Sequence, residues 1–171
     1  MRGQGGRRGT GEERPDPWGV AIRLLAMRSL TTQELCRRLQ RRGYAAEQIT
    51  AVVERLTASH YLDDAEYARA WARARAHRHS WGPARLAREL QSRGVPEREI
   101  SEALREAFAE RDARQLAESA ALRKLSGLQG LAAEVARRRL GAYLTRRGFS
   151  VEIVLALCRK HFPGGEGSND P

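Results

Sequence analysis

Leu86-Ala87-Arg88-Glu89-Leu90-Gln91-Ser92-Arg93-Gly94-Val95 reads as the last turns of a helix followed by its stop signal. Leu86 and Leu90, four apart, fall on one helix face. Gly94 then stands just past the final turn, where a left-handed backbone costs a residue without Cβ almost nothing. Leu90 and Val95 occupy the two positions whose side chains meet in a Schellman ending. The same signal occurs at Leu35, Leu39, Gly43 and Tyr44, and again at Leu140, Leu144, Gly148 and Phe149, a period of about 50 residues. Repetition on this scale predicts a modular array of helices rather than one irregular core.

A second apolar pattern with helical spacing follows each stop: Ile49, Val52, Val53 and Leu56; Ile100, Ala103, Leu104 and Ala107; Val154, Leu157 and Cys158. A further helical segment precedes each pair, over 18–28, 63–78 and about 110–125. Start signals agree with this reading. Thr31 with Glu34 has capping-box spacing, Asp63 with Glu66 resembles it, and Pro83 and Pro96 suit first-turn positions. The stretches that alternate pair Arg with Ala, a poor strand former, so no strand is expected. The prediction is an all-α chain of three tandem three-helix repeats, over 17–60, 61–109 and 110–162. Units this small need neighbours to complete a core, so the repeats should stack into an elongated, curved array. Residues 1–14 hold five glycines, four arginines and no large apolar residue besides Met1, so disordered extensions are expected over 1–16 and 163–171.

The formal net charge is +10, with 31 Lys and Arg against 21 Asp and Glu, which directs attention to anionic partners. Cys36 and Cys158 lie in helical patterns without a second thiol nearby, as suits a reducing cytosol. No apolar run approaches the ~18 residues of a membrane span, and the N-terminus lacks the apolar core of a secretion signal. A soluble, cytoplasmic monomer is expected.

Arg69, Arg73, Arg75, Arg78, Arg85, Arg88 and Arg93 form the densest basic region, with Glu89 the only acid between Tyr67 and Arg93. Arg69, Arg73 and His77 recur every four residues, away from the expected inner face of Tyr67, Ala70, Trp71 and Ala74. A solvated helix face accounts for any one of these arginines; the cluster favours a surface that tracks phosphates or an acidic groove. Arg137, Arg138 and Arg139 offer a secondary basic surface. The arginines ahead of each stop, Arg41, Arg42, Arg93, Arg146 and Arg147, are explained by the helix dipole alone. Trp18, Trp71 and Trp81 read as core, Asp63 and Asp64 as a helix cap. His77 and His79 point to different sides of a helix, and His60 and His161 have no partner at metal-ligand spacing. With no phosphate loop and no serine elbow, neither metal, cofactor nor catalysis is expected.

Leu62, Asp63 and Asp64 followed by Tyr67, Ala68 and the Arg69 to Arg78 run, then Gly82, Pro83, Leu86, Glu89, Leu90 and Gly94, resemble the central pattern of the RecX family. The likeness extends over roughly 18–162 and is most specific in the middle unit. It implies three tandem three-helix repeats and a non-enzymatic regulator of the RecA recombinase. Such a regulator binds RecA and its filament on single-stranded DNA. It opposes filament extension, ATP hydrolysis, strand exchange and co-protease activity, and so regulates recombinational repair and the SOS response. It also implies a RecA-contact role for Asp63 and Asp64, beside the capping role. Two departures stand out: the segment over 110–130 is longer than its counterparts and lacks the Gly-Pro turn, and the basic N-terminal extension lies outside the shared core. Charge and pattern alone leave two other readings open, a RecA-independent non-specific DNA-binding protein and a helical-repeat adaptor for an acidic protein.

Overall fold

The computed structural model describes residues 15–109 and 112–163; the segments expected to be disordered lie outside these, apart from residues 15, 16 and 163. Nine α-helices and no strand are present among the described residues: α1 (Pro17–Met27), α2 (Thr32–Gln40), α3 (Ala46–Ala58), α4 (Asp64–His79), α5 (Pro83–Ser92), α6 (Glu97–Ala107), α7 (Ala113–Leu125), α8 (Ala133–Arg146) and α9 (Val151–His161), with one 3-10 turn (Ser126–Leu128) after α7. Pro15 and Asp16 belong to the fold. The Pro15 carbonyl accepts from the Tyr44 hydroxyl at 2.6 Å, and Asp16 caps α1 through the Gly19 N–H.

Each of α2, α5 and α8 ends as its sequence requires. The amides of Tyr44, Val95 and Phe149 donate to the carbonyls of Leu39, Leu90 and Leu144, while Gly43, Gly94 and Gly148 sit at φ +78°, +80° and +84°. Both hydrogen bonds of the Schellman motif form at all three stops, because each glycine also donates to the carbonyl three residues back.

Some local expectations are corrected. Pro96 is the N-cap of α6, not a first-turn residue, and α7 begins at Ala113 behind an Asp112 cap. Thr31 and Asp63 each accept from the amide three residues on, but the reciprocal half of the box is missing. Glu34 turns instead to Arg93 and Arg28, and Glu66 to Arg69. The inner face of α4 is Ala68, Ala72 and Ala76, all fully buried, whereas Ala70 and Ala74 are exposed. Alanine on this stripe, facing Ala103 and Ala107 of α6 in the same core, lets the two backbones approach closely.

The apolar core comes in two parts. One joins Val20, Leu24, Leu35, Leu39, Ile49 and Leu56 within α1–α3; the other runs without a break through α4–α9. The joints between helix triads share one geometry. The Gly82 and Ala84 amides, opening α5, donate to the Arg147 and Gly148 carbonyls that close α8, at 2.7 and 3.1 Å. At the preceding joint the Thr31 hydroxyl, opening α2, donates to the Arg93 carbonyl that closes α5, at 2.6 Å. So the closing carbonyls of α8 meet the opening amides of α5, and the closing carbonyl of α5 meets the hydroxyl that caps α2.

Candidate functional site

The short turn between α4 and α5 organises the most chemically distinctive surface. Ser80 takes the left-handed conformation, φ +49°, and is buried. Two arginines of the following triad fasten it: Arg123 donates to the Ser80 hydroxyl, and Arg147 to the His79 carbonyl. Held in this way, the turn projects Trp81 beside Trp71 of α4, ring centroids 5.7 Å apart at 57°. Arginines flank and join the two indoles. Arg93 lies 5.3 Å from the Trp71 ring, Arg75 lies 5.4 and 5.7 Å from Trp71 and Trp81, and Arg85 lies 3.9 Å from Trp81. The result is a ladder, Arg93–Trp71–Arg75–Trp81–Arg85, across the middle of the molecule.

Each guanidinium near a ring face gains ~0.5–1 kcal/mol from the quadrupole and is held in place. Arg75 and Arg85 keep N–H donors for an anion, whereas Arg93 donates one to Glu34 at 2.9 Å. Beside the ladder, Arg85, Arg88 and Arg146 surround a shallow cleft of about 380 Å³ with Glu89 and Ser92. The Arg85 and Arg88 guanidiniums are steadied by the Arg146 and Ala84 carbonyls, at 3.4 and 3.3 Å. Fixed cations of this kind suit a polyanion. Half-buried indoles among them suit an unstacked base.

The structure therefore gathers Arg75, Arg85, Arg88 and Arg93 and leaves the other predicted residues apart. Arg69 is bound to Glu66 at 3.0 and 3.2 Å, which raises its already high pKa. Arg73 and Arg78 are exposed along α4. On α8, Arg137 pairs with Glu134 at 2.8 Å, with Arg138 and Arg139 exposed beside it. Asp63 caps α4 at the Glu66 amide, 2.8 Å. Asp64 reaches across the joint and accepts from the Thr32 amide of α2, also at 2.8 Å. Burial raises the Asp64 pKa, against the pull of the Thr32 hydrogen bond, and Asp63 and Glu99 push the same way as burial. Burial likewise raises the Tyr67 pKa, with Arg93 opposing it.

Reading Trp71 and Trp81 as core missed the ladder, since both pack on the core only in part. The available signal was spacing: each tryptophan is followed four residues on by an arginine, Arg75 or Arg85. Among the described residues no group of His, Cys, Asp and Glu is placed to hold a metal ion, and no helix is long and apolar enough to cross a membrane.

Comparison with known proteins accords with this architecture. Residues 18–56 match the family model of RecX's first three-helix domain, and residues 63–104 that of its second. The chain is 36% identical over 153 residues to a regulatory protein RecX of Trichlorobacter lovleyi, covering 88% of this chain and 99% of that one. It is 40% identical over 146 residues to a regulatory protein RecX of Mycobacterium avium, covering 80% and 82%. The crystal structure of RecX from Lactobacillus salivarius superposes with a TM-score of 0.75 at 15% identity, covering 87% of this chain and 96% of that one, a likeness of fold. Matching the family's first and second three-helix domains and 99% of the Trichlorobacter lovleyi relative's length, the chain belongs to the RecX family of regulatory proteins.

Proposed function

We propose that this protein binds RecA and its filament on single-stranded DNA. There it opposes filament extension, ATP hydrolysis, strand exchange and co-protease activity, without catalysis of its own. Family membership supports the partner. The single structural observation that carries the reading is the Arg–Trp ladder with its adjoining arginine cleft, a fixed cationic surface at the centre of an array of triads. An array can add many weak contacts along a polymer and gain affinity through multivalency. Arg75, Arg85 and Arg88 form the primary contact, Arg93 supports its Trp71 end while paired with Glu34, and Arg69, Arg73 and Arg78 extend it along α4. Arg137, Arg138 and Arg139 provide a secondary basic surface.

The ladder also favours a second reading, RecA-independent binding of single-stranded DNA. One titration separates the two: ATP hydrolysis by RecA on single-stranded DNA, with DNA in large excess so that sequestration is ineffective. Inhibition well below the amount of RecA is expected. No inhibition alongside retained DNA binding would transfer the function to the second reading.

A further inference from the structure

A groove of about 580 Å³ lies between the first and second triads. Its floor is apolar: Leu25 and Leu30 from the α1–α2 junction, and Tyr67, Ala70 and Trp71 along α4. Tyr61 also lines it and is 63% exposed. An exposed aromatic side chain beside a concave apolar floor has the composition of a binding surface.

The electrostatics of the groove run against the rest of the molecule. The chain carries a net +10, yet the ionisable lining besides its tyrosines is Asp63, Glu66 and His60. Asp63 accepts from the Glu66 amide through Oδ1 and Glu66 accepts from Arg69 through Oε2, which leaves one oxygen of each carboxylate to meet a cation. Trp71, however, belongs to both the groove floor and the ladder, so the groove carboxylates and the ladder cations flank one indole. A partner lying across this face meets opposite charge requirements on the two sides of one indole.

From this juxtaposition we infer that the groove docks a basic segment of the filament protein, one that inserts an apolar side chain between Tyr61 and Trp71 and places a lysine or arginine against Asp63 and Glu66. The inference deepens the proposed function and rests on it for the identity of the partner. The ladder faces the nucleic acid or acidic surface, and the groove takes the protein segment next to it. The arrangement therefore selects a nucleoprotein over naked DNA, since naked DNA satisfies only one side.

Ala70 is exposed and lines the groove, so substitution there spares the fold. Ala70→Arg supplies an internal rival for the occupant, because an arginine four residues after Glu66 reaches the carboxylate oxygen that Arg69 leaves open. Ala70→Glu adds similar bulk with the opposite charge, and Ala74→Arg, one turn on and also exposed, adds the same charge outside the groove lining.

Full-length variants would be sedimented with RecA filaments on single-stranded DNA and titrated separately with a labelled naked oligonucleotide. Ala70→Arg is expected to weaken filament binding about tenfold or more while oligonucleotide binding stays within about twofold. Ala70→Glu should bind more tightly than Ala70→Arg, and Ala74→Arg, which adds a cation to the α4 surface, should bind no more weakly than the parent. Parental filament binding by Ala70→Arg, or equal losses for Ala70→Arg and Ala70→Glu, overturns the inference. If the parent protein does not bind filaments at all, the proposed function fails, and the groove is judged by two labelled peptides sharing an apolar centre. A lysine-flanked peptide that binds better than a glutamate-flanked one, and is lost in Ala70→Arg, sustains the groove chemistry. Equal binding overturns it.

Discussion

Gly148 meets two demands at once. Its φ of +84° closes α8, and a Cβ there would collide with the backbone nitrogen of Arg85 in α5. Gly130 has nearly the same φ, +79°, but open space where its Cβ would stand. The pair separates backbone strain from lost contact. Gly130→Ala should cost about 1–2 kcal/mol, the left-handed penalty alone. Gly148→Ala should cost about 2–5 kcal/mol, because backbone cannot move aside as a side chain can. Denaturant midpoints at unchanged slope would measure both, and equal costs would show that α8 and α5 are not truly abutted. Asp64 supports the other joint, and its titration follows from its position. Its folded-state pKa lies above the unfolded one, so its contribution to stability is fully present below the unfolded value and lost as pH rises through the folded value. Asp64→Asn retains an acceptor for the Thr32 amide without the half-buried charge. Its stability relative to the parent should therefore rise between acid and neutral pH, and a flat difference in denaturation midpoints would contradict the assignment.

At the scale of helices, the stops and second helices were readable because leucine and glycine carry unambiguous signals, and the Schellman bonds formed where the pattern put them. Helix α4 was harder. Its alanines alternate with arginines along Ala68–Ala76, so hydropathy assigns no inner face, and the large aromatics suggested the wrong one. Close packing against α6 selects Ala68, Ala72 and Ala76, and a sequence does not display that partner. The same shift turns Trp71 and Trp81 to the margin of the core, where arginines reach them, which is why the ladder went unread. A pair of identical substitutions tests the assignment. Ala72→Leu overpacks the contact with α6 and should lower stability by about 1–3 kcal/mol, whereas Ala74→Leu, on the exposed side, should change it by less than about 0.5 kcal/mol. Thermal denaturation would decide. A larger loss for Ala74→Leu would restore the face expected from the aromatics.

Across the whole molecule, the two joints repeat one geometry but differ in material, and that difference sets how the array opens. Between α4–α6 and α7–α9, backbone hydrogen bonds and a continuous apolar core bind the triads together. Between α1–α3 and α4–α6 the cores are separate, and polar contacts span the gap: Thr31 to the Arg93 carbonyl, Asp64 to the Thr32 amide, and Arg93 to Glu34 at 2.9 Å. Net gain from such contacts is about 1 kcal/mol each, far less than a continuous core supplies. The first triad should thus open as a unit below the global unfolding energy, while α5 and α8 open together at the higher value. Native-state hydrogen exchange would resolve this at the buried amides of Leu39, Ile49 and Leu56 against those of Leu90, Leu140 and Leu144. Glu34→Ala strips a partly buried Arg93 of its partner and should lower the first set further, by about 1–3 kcal/mol, while leaving the α8 amides unmoved. A single opening energy shared by all six amides would mean that the polar joint couples the triads as firmly as the apolar one. The separate cores would then have no mechanical consequence.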